Sequence, residues 1–523
     1  MTKVFYEKND WLMNHWTNKP FEEVMWMTDD EFVEWFVELR KAVVYAWDEL
    51  GFPPRVGYDE EEIKDQFKKM YGYPVHEFER LDDTTGELDV IKNSSNLGNA
   101  ANQWFPTMMK TRINYSANDD GLSIYDHFKN DNLLEKTLKY ARRHFKRDSF
   151  YSYSLTIKVG ETITIGSQSH TVTDAKSFIE WFENKARVYD THDYWIDHKK
   201  DTEYTGFKDD LRTTEFLHLT KDELSCYNIP ETCKANVKED KEGFIYQIRI
   251  YKKRQKLFPI GLKAFRISWC QYAVNFPPMT AKYLYEKYTR HIKDQDVINI
   301  YDPSSGWGGR ILGAMAVRSP SIINYIGTDP NTDHTIYING EKSTKYEHLA
   351  KFYNETKNSG TLFKKSNTFD VYQLGSEVID KDTRFKKYKG NLDLVFTSPP
   401  YFSKEAYSED DEQSYKKFDT YEVWKEGFLR QTLKTAVEYL RSDRYLLWNI
   451  ADIKLGKDML PLEDDSREIL EEFGMEYKGF LKMALAKMPG GNRVSDEQAT
   501  FKNSCVINGS IHKYEPIFVY YKP

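Results

Sequence analysis

An apolar run, Leu392-Asp393-Leu394-Val395-Phe396, passes directly into Thr397-Ser398-Pro399-Pro400-Tyr401-Phe402. Two prolines fix φ and remove two N–H donors, so a short buried strand must stop there and leave the sheet with its carbonyls facing outward. Such a turn offers acceptors to an amino group and an aromatic face to a flat ring. It lies downstream of a second constrained turn, Asp302-Pro303-Ser304-Ser305-Gly306-Trp307-Gly308-Gly309-Arg310, which follows the strand-like Val297-Ile298-Asn299-Ile300-Tyr301.

The intervals between these turns read as alternating strands and helices. Strands are expected at Val297–Tyr301, Ile323–Thr328, Leu362–Asn367, Leu392–Phe396, Tyr445–Ile450, Tyr477–Leu485 and Pro516–Tyr521, with helices at Ile311–Val317, about Thr335–Glu355 and Tyr421–Leu440. That alternation implies a mainly parallel sheet covered on both faces. Ligands of open α/β sheets bind beyond the carboxyl ends of the strands, where both turns fall.

Three features gather there. Gly306, Gly308 and Gly309 permit a tight turn and let backbone come close to a ligand, and Asp302 and Ser304 border it. Asp329 ends the next strand, 20 residues beyond Gly309, where an acid accepts from both hydroxyls of a ribose; it equally reads as the cap of the following helix. Asp370 is expected just after the third strand, as an acceptor for an adenine amino group. The third feature is the Ser-Pro-Pro-Tyr turn itself.

Together these motifs resemble the S-adenosylmethionine-dependent DNA amino-methyltransferases, which act on the exocyclic nitrogen of cytosine or adenine. Asn275-Phe276-Pro277-Pro278-Met279-Thr280-Ala281-Lys282-Tyr283-Leu284-Tyr285 is similar to the lead-in of many phage-encoded members. The resemblance covers about residues 256–523 and implies a Rossmann-like α/β methyltransferase domain there, with a mixed α+β region over 1–255. It implies S-adenosyl-L-methionine as cofactor, held by Asp302, Ser304, Gly306, Gly308, Gly309, Asp329, Asp370 and Thr397. Double-stranded DNA is the implied partner, and the family raises the question of a cognate restriction enzyme.

The chemistry accounts for the residue types. An exocyclic amine is a poor nucleophile because its lone pair is delocalised into the ring. Hydrogen bonds from its N–H groups to the Ser398 side chain and the Pro399 carbonyl favour a pyramidal nitrogen, with Pro400 fixing the turn. Tyr401, with Phe402, is expected to stack on the extruded base. Carbon-5 methylation needs a Pro-Cys nucleophile, and none of Cys226, Cys233, Cys270 and Cys505 follows a proline. Serine at the first position of the turn resembles the cytosine-N4 enzymes more than the adenine-N6 enzymes, which usually carry aspartate; a catalytically silent nucleic-acid-binding protein on the same fold is the alternative from another class.

Specificity is expected from the N-terminal half, because only 26 residues separate Asp370 from Thr397, too few for an inserted recognition domain. The chain is 523 residues long with a formal net charge of -8, so nucleic-acid contact must be local. From Ile245 to Tyr285 the chain carries Arg249, Lys252, Lys253, Arg254, Lys256, Lys263, Arg266 and Lys282 without an acid, and its 245–266 part is expected to border a DNA channel, with Arg493 on the other side. A second basic run spans Lys136–Arg147, and an amide-rich loop from Asn93 ends at Trp104. Thr28-Asp29-Asp30-Glu31 reads as a capping box, and Tyr151–Ile157 with Thr162–Ile165 reads as a hairpin about Gly160. No CxxC pair or HExxH points to a metal, and no apolar stretch or signal-type N-terminus points to a membrane, so the expected compartment is the cytoplasm, the host's for a phage-encoded chain.

Overall fold

The computed structural model describes residues 28–49, 60–92, 97–98, 101, 104–105, 108, 110–113, 122–133, 150–165, 168–186, 194–197, 216–219, 236–240, 243–251, 274–338, 340–358, 365–408, 410–455, 457–487 and 503–523. They belong to two compact units, one drawn from Met1–Asn9, Tyr45–Asp126 and Trp269–Pro523, the other from Asp10–Val44 and His127–Ser268.

The first unit is built on a ten-stranded sheet. Its elements are α1 (Glu60–Gly72), β1 (Glu79–Arg80), β2 (Val90–Lys92), α2 (Pro278–Thr289), β3 (Val297–Asp302), α3 (Gly309–Met315), β4 (Ile322–Thr328), α4 (Lys345–Asn358), β5 (Thr368–Tyr372), β6 (Leu392–Thr397), α5 (Arg430–Tyr439), β7 (Leu440–Asn449), α6 (Leu462–Glu472), β8 (Glu476–Lys487), β9 (Ser504–Ile507) and β10 (Ser510–Lys522). The strand order is β1-β2-β8-β10-β7-β6-β3-β4-β5, with β9 also on β10. From β5 to β7 every pairing is parallel, and β10 runs antiparallel to both β7 and β8. This is the Rossmann-like α/β fold expected from the alternation.

All six residues of β6 are buried, as a strand covered on both faces requires. Its one charge, Asp393, accepts from the Asn299 main-chain N–H at 2.9 Å and from Arg441 Nη1 at 2.9 Å, and so is satisfied at the strand's amino end, away from the turn. Strand order reverses between β3 and β6. Their carboxyl ends, Asp302 and Thr397, are neighbours at that switch point.

Several local expectations change. Thr335–Ile338 pairs antiparallel with Glu341–Thr344 ahead of α4, because the β-branched and aromatic Thr335-Ile336-Tyr337-Ile338 prefers a pleat to a helix. The third strand begins only at Thr368. Residues 93–96 of the amide-rich loop lie outside the described residues, but Trp104 is 4% exposed, its ring packed on Phe352 and Tyr353 at 5.4 and 5.5 Å, which makes it core. The N-terminal half also extends the sheet, β2 pairing in parallel with β8 and so covering an otherwise open edge.

The second unit holds a five-stranded sheet of Phe150–Lys158, Gly243–Tyr251, Tyr194–Asp197, Phe216–Leu219 and Asn236–Asp240. Among the described residues no hairpin forms about Gly160. Phe150–Lys158 pairs along its whole length with Gly243–Tyr251, a longer antiparallel partner, while Thr162–Ile165 pairs with Gln168–Thr171. The helix Asp29–Glu49 begins at a reciprocal cap, in which the Thr28 N–H donates to Glu31 Oε2 at 2.7 Å and the Glu31 N–H donates to Thr28 Oγ1 at 3.3 Å.

Candidate active site

The two turns meet through one hydrogen bond. Thr397 Oγ1, at the end of β6, donates to Asp302 Oδ1 at 2.7 Å, at the end of β3. Asp302 is fully buried and also accepts from the Ser304 N–H at 3.2 Å, Arg310 Nε at 2.8 Å and the Tyr325 hydroxyl at 2.6 Å. Four donors on one carboxylate repay its desolvation, and they fix the turn to β4, α3 and β6 at once. Asp302 and Thr397 therefore reach the site but turn their side chains toward each other, where they hold the two turns in register.

The glycine turn needs its glycines for two reasons. Gly306 and Gly308 take φ of 57° and 75°, in the left-handed region. Gly309 is excluded from carrying a side chain by approach: a Cβ there would sit 2.1 Å from the Phe276 carbonyl oxygen and 2.6 Å from Asn275 Oδ1. Asn275 brackets the turn, accepting from the Gly309 N–H at 3.1 Å and donating from Nδ2 to the Trp307 carbonyl at 2.8 Å. Phe105 packs beside Gly308, where a Cβ would come within 2.4 Å of its ring. Ser304 and Ser305 are tied down as well, the Ser305 N–H donating to the Thr328 carbonyl at 2.8 Å.

Asp329 follows β4 and faces that turn. It accepts from the Gly306 N–H at 2.9 Å, the Asn331 N–H at 3.0 Å and the Tyr346 hydroxyl at 3.0 Å. Burial nevertheless outweighs these donors and pushes its carboxyl up to about 6. Tyr346 also contacts His334 Nδ1 at 2.7 Å, and burial, with Lys345 beside it, pushes that imidazole down to about 3, so His334 is neutral. The Asp329 carboxylate is an acceptor of the kind that ribose hydroxyls require, at the edge of a turn whose glycines allow close main-chain approach.

Asp370 is elsewhere. It lies inside β5, opposite Ile326, with its carboxylate bonded to Lys387 Nζ at 2.7 Å and to the Tyr388 hydroxyl. The expectation that it follows the third strand is corrected by the later start of β5, which moves the strand's carboxyl end to Tyr372.

On the other side, Pro399 is buried and Ser398, Pro400 and Tyr401 are half-buried. The Tyr401 hydroxyl donates to the Asn449 carbonyl oxygen at 3.5 Å. Burial, followed by the charges of Glu515 and Glu405, holds the Tyr401 phenol far above its ordinary range. Phe402 takes φ of 48°, an uncommon conformation for a bulky residue. Its ring is 5% exposed and packs on Tyr421 and Trp424 at 5.8 Å each. The expected stacking role of Phe402 is thereby corrected: its ring belongs to the core, and Tyr401 is the ring left at the turn.

Lys252, Lys253, Arg254, Lys256 and Arg493 lie outside the described residues, as does the basic run Lys136–Arg147. Among the described residues no cluster of three or more His, Cys, Asp or Glu could hold a metal, and no helix is long and apolar enough to cross a membrane. Sequence reasoning missed Asn449, Glu405 and Glu515. Asn449 carried a signal, since it is a polar residue closing an apolar strand, as Asp302 and Thr397 are.

Comparison with known proteins points to the same chemistry through one family. Residues 392–523 match the family model of N6/N4 methyltransferases, described as DNA methylase. No curated protein matches the sequence. Similar solved structures include precorrin-6y C5,15-methyltransferase from Geobacter metallireducens (13% identity, 44% of this chain and 82% of that one, TM-score 0.24). The YcgJ protein of Bacillus subtilis is 12% identical over 47% of this chain and 99% of its own, with a TM-score of 0.26. A Thermus thermophilus protein described as a candidate DNA modification methylase, complexed with S-adenosyl-L-methionine, is 19% identical over 26% of this chain and 49% of its own, with a TM-score of 0.16.

Proposed function

From residues 392–523 as a segment of the DNA methylase family, we propose that the chain transfers a methyl group from S-adenosyl-L-methionine to the exocyclic amine of a base taken out of double-stranded DNA, cytosine N4 ahead of adenine N6. The observation that carries this reading is the 2.7 Å bond between Thr397 and Asp302, which holds the glycine turn and the Ser-Pro-Pro-Tyr turn side by side.

The cofactor, when bound, supplies an electrophilic methyl on a sulfonium. Asp329 would accept from its ribose hydroxyls, and the turn of Ser304, Gly306, Gly308 and Gly309, whose Ser304, Gly306 and Gly309 N–H groups are bonded within the chain, would admit its amino-acid end by close main-chain approach. Asp302 and Thr397 act as positioning residues between the two turns. Opposite them, the Ser398 side chain and the Pro399 carbonyl accept the two amine N–H bonds, which orients the nitrogen lone pair toward the methyl. Tyr401 stacks on the base. Orientation and a water-poor pocket supply the catalysis, with no covalent intermediate on the chain. Target choice is assigned to the N-terminal half, residues 1–255, and DNA contact to the basic segment from Lys252 to Lys256 with Arg493.

Transfer of a tritiated methyl group to DNA by the wild type and by Ser398→Ala tests this. The wild type is expected to label DNA and the variant to lose the label while still binding cofactor. No transfer by the wild type to any DNA, despite tight cofactor binding, would favour a silent DNA-binding protein instead. Serine rather than aspartate at position 398 favours cytosine over adenine.

A further inference from the structure

Glu515 sits on β10 just before Pro516, whose carbonyl accepts from Asn449 Nδ2 at 2.9 Å. Asn449 closes β7 one residue beyond the register pair Thr397 and Trp448, level with the point where the chain leaves β6 for Ser398. A second acid, Glu405, comes from the short strand Glu405–Ala406 just after the catalytic turn and receives the Tyr407 hydroxyl. The Tyr401 hydroxyl lies 3.5 Å from the Asn449 carbonyl oxygen, and Asn449 is in turn bonded to the Pro516 carbonyl, so the strand that carries Glu515 is linked to the ring assigned to the base; the charges of Glu515 and then Glu405 both act on that hydroxyl.

An independent observation points to a ligand here. Asn449 is fully buried, its Nδ2 is used, and its Oδ1 has no hydrogen-bond partner. A buried acceptor left unmatched costs about 1–3 kcal/mol, so this one calls for a donor from outside the chain. Burial, and then repulsion from Glu405, pushes the Glu515 carboxyl up to about 7, and burial raises Glu405 as well. The charge that acts on Glu515 is Glu405, which itself has Lys404 beside it, while Glu463 on α6 acts on Tyr401. The nearest cation along the paired strand, Lys482, is committed to Asp82 and Asp89 at 2.8 Å each.

We propose that Glu515, as the neutral acid, reads the ring edge of the target base by donating its O–H to the ring nitrogen beside the amine, N3 of cytosine or N1 of adenine. Burial, and then Glu405, favours that form. Guanine and thymine carry a hydrogen on the corresponding nitrogen and meet this donor with a donor, so the acid form selects bases with an amidine-type edge. The inference rests on the methyl-transfer reading and names the residue that recognises its substrate.

The test is the pH profile of kcat/KM for DNA methylation between about pH 5.5 and pH 8.5 for wild type, Glu515→Ala and Glu515→Gln, with cofactor Kd measured separately. Wild-type activity is expected to fall about tenfold per unit above about pH 7, as the acid ionises. Glu515→Ala should lose about tenfold to a hundredfold near pH 6 with cofactor Kd unchanged. Glu515→Gln, whose amide donates at every pH, should rescue the alanine loss, show no alkaline fall and exceed the wild type about tenfold at the alkaline end. An alanine variant as active as wild type, or a glutamine variant that keeps the alkaline fall or is as poor as alanine, overturns the proposal while leaving methyl transfer standing. A wild type that binds cofactor and methylates no DNA removes both.

Discussion

The two walls of the site are built on opposite principles. On the glycine-turn side the polar groups are answered from within: Asp302 has four donors, Asp329 three, and the Gly309 N–H is held by Asn275. On the Ser-Pro-Pro-Tyr side a bulky residue sits at positive φ, a buried amide oxygen has no partner, and two carboxyl groups are pushed up toward their neutral forms. On the proposed reading the first wall, whose turn is bonded within the chain although Asp329 too is pushed toward its neutral form, suits a constant cofactor. The second keeps its unmet hydrogen bonds for the group that changes during the reaction.

The largest break in that contrast should come from crowding the first wall. Gly309→Ala places a methyl against a main-chain oxygen and is expected to cost about 3 kcal/mol of stability and abolish cofactor binding, read by thermal melting and calorimetry. On the other wall, Ser398→Ala should leave the melting temperature in place and lower kcat by about 10²–10³-fold. Catalysis and stability would then separate along the line between the two turns. A smaller effect sharpens the cofactor side. Asp329 is ionised only above about pH 6, so cofactor affinity should rise as pH increases through 6 and become flat with pH in Asp329→Asn, with a loss of about tenfold near pH 8. The smallest effect is expected at Asp370, whose carboxylate is already taken by Lys387 and Tyr388. Asp370→Asn should change cofactor Kd by less than about twofold and stability by less than about 1 kcal/mol.

The central sheet was legible because buried parallel strands leave apolar runs ended by polar residues, as β3, β4 and β6 do. The glycine turn and Asp329 were legible because tight turns and acids at strand ends have few substitutes. Other features left little trace. β1 and β2 are two and three residues long, too short for any period to register, and they join the sheet from far away in sequence. Asp370 was misplaced because the apolar pair Leu362-Phe363 draws the expected strand too early, while the strand itself starts at Thr368. Phe402 looked like a stacking ring because the motif alone cannot show which way a left-handed residue sends its side chain. Glu515 sits in a tyrosine-rich run with no motif around it, and its significance comes only from β10 lying beside β7.

The account stands or falls on the product. Mass spectrometry of nucleosides from DNA incubated with the protein and S-adenosyl-L-methionine should show a new N4-methylcytosine, absent with Ser398→Ala. N6-methyladenine instead would move the base assignment and keep the mechanism. DNA that carries neither modification, from protein shown to bind the cofactor, would contradict the claim that these two turns form a methyl-transfer site.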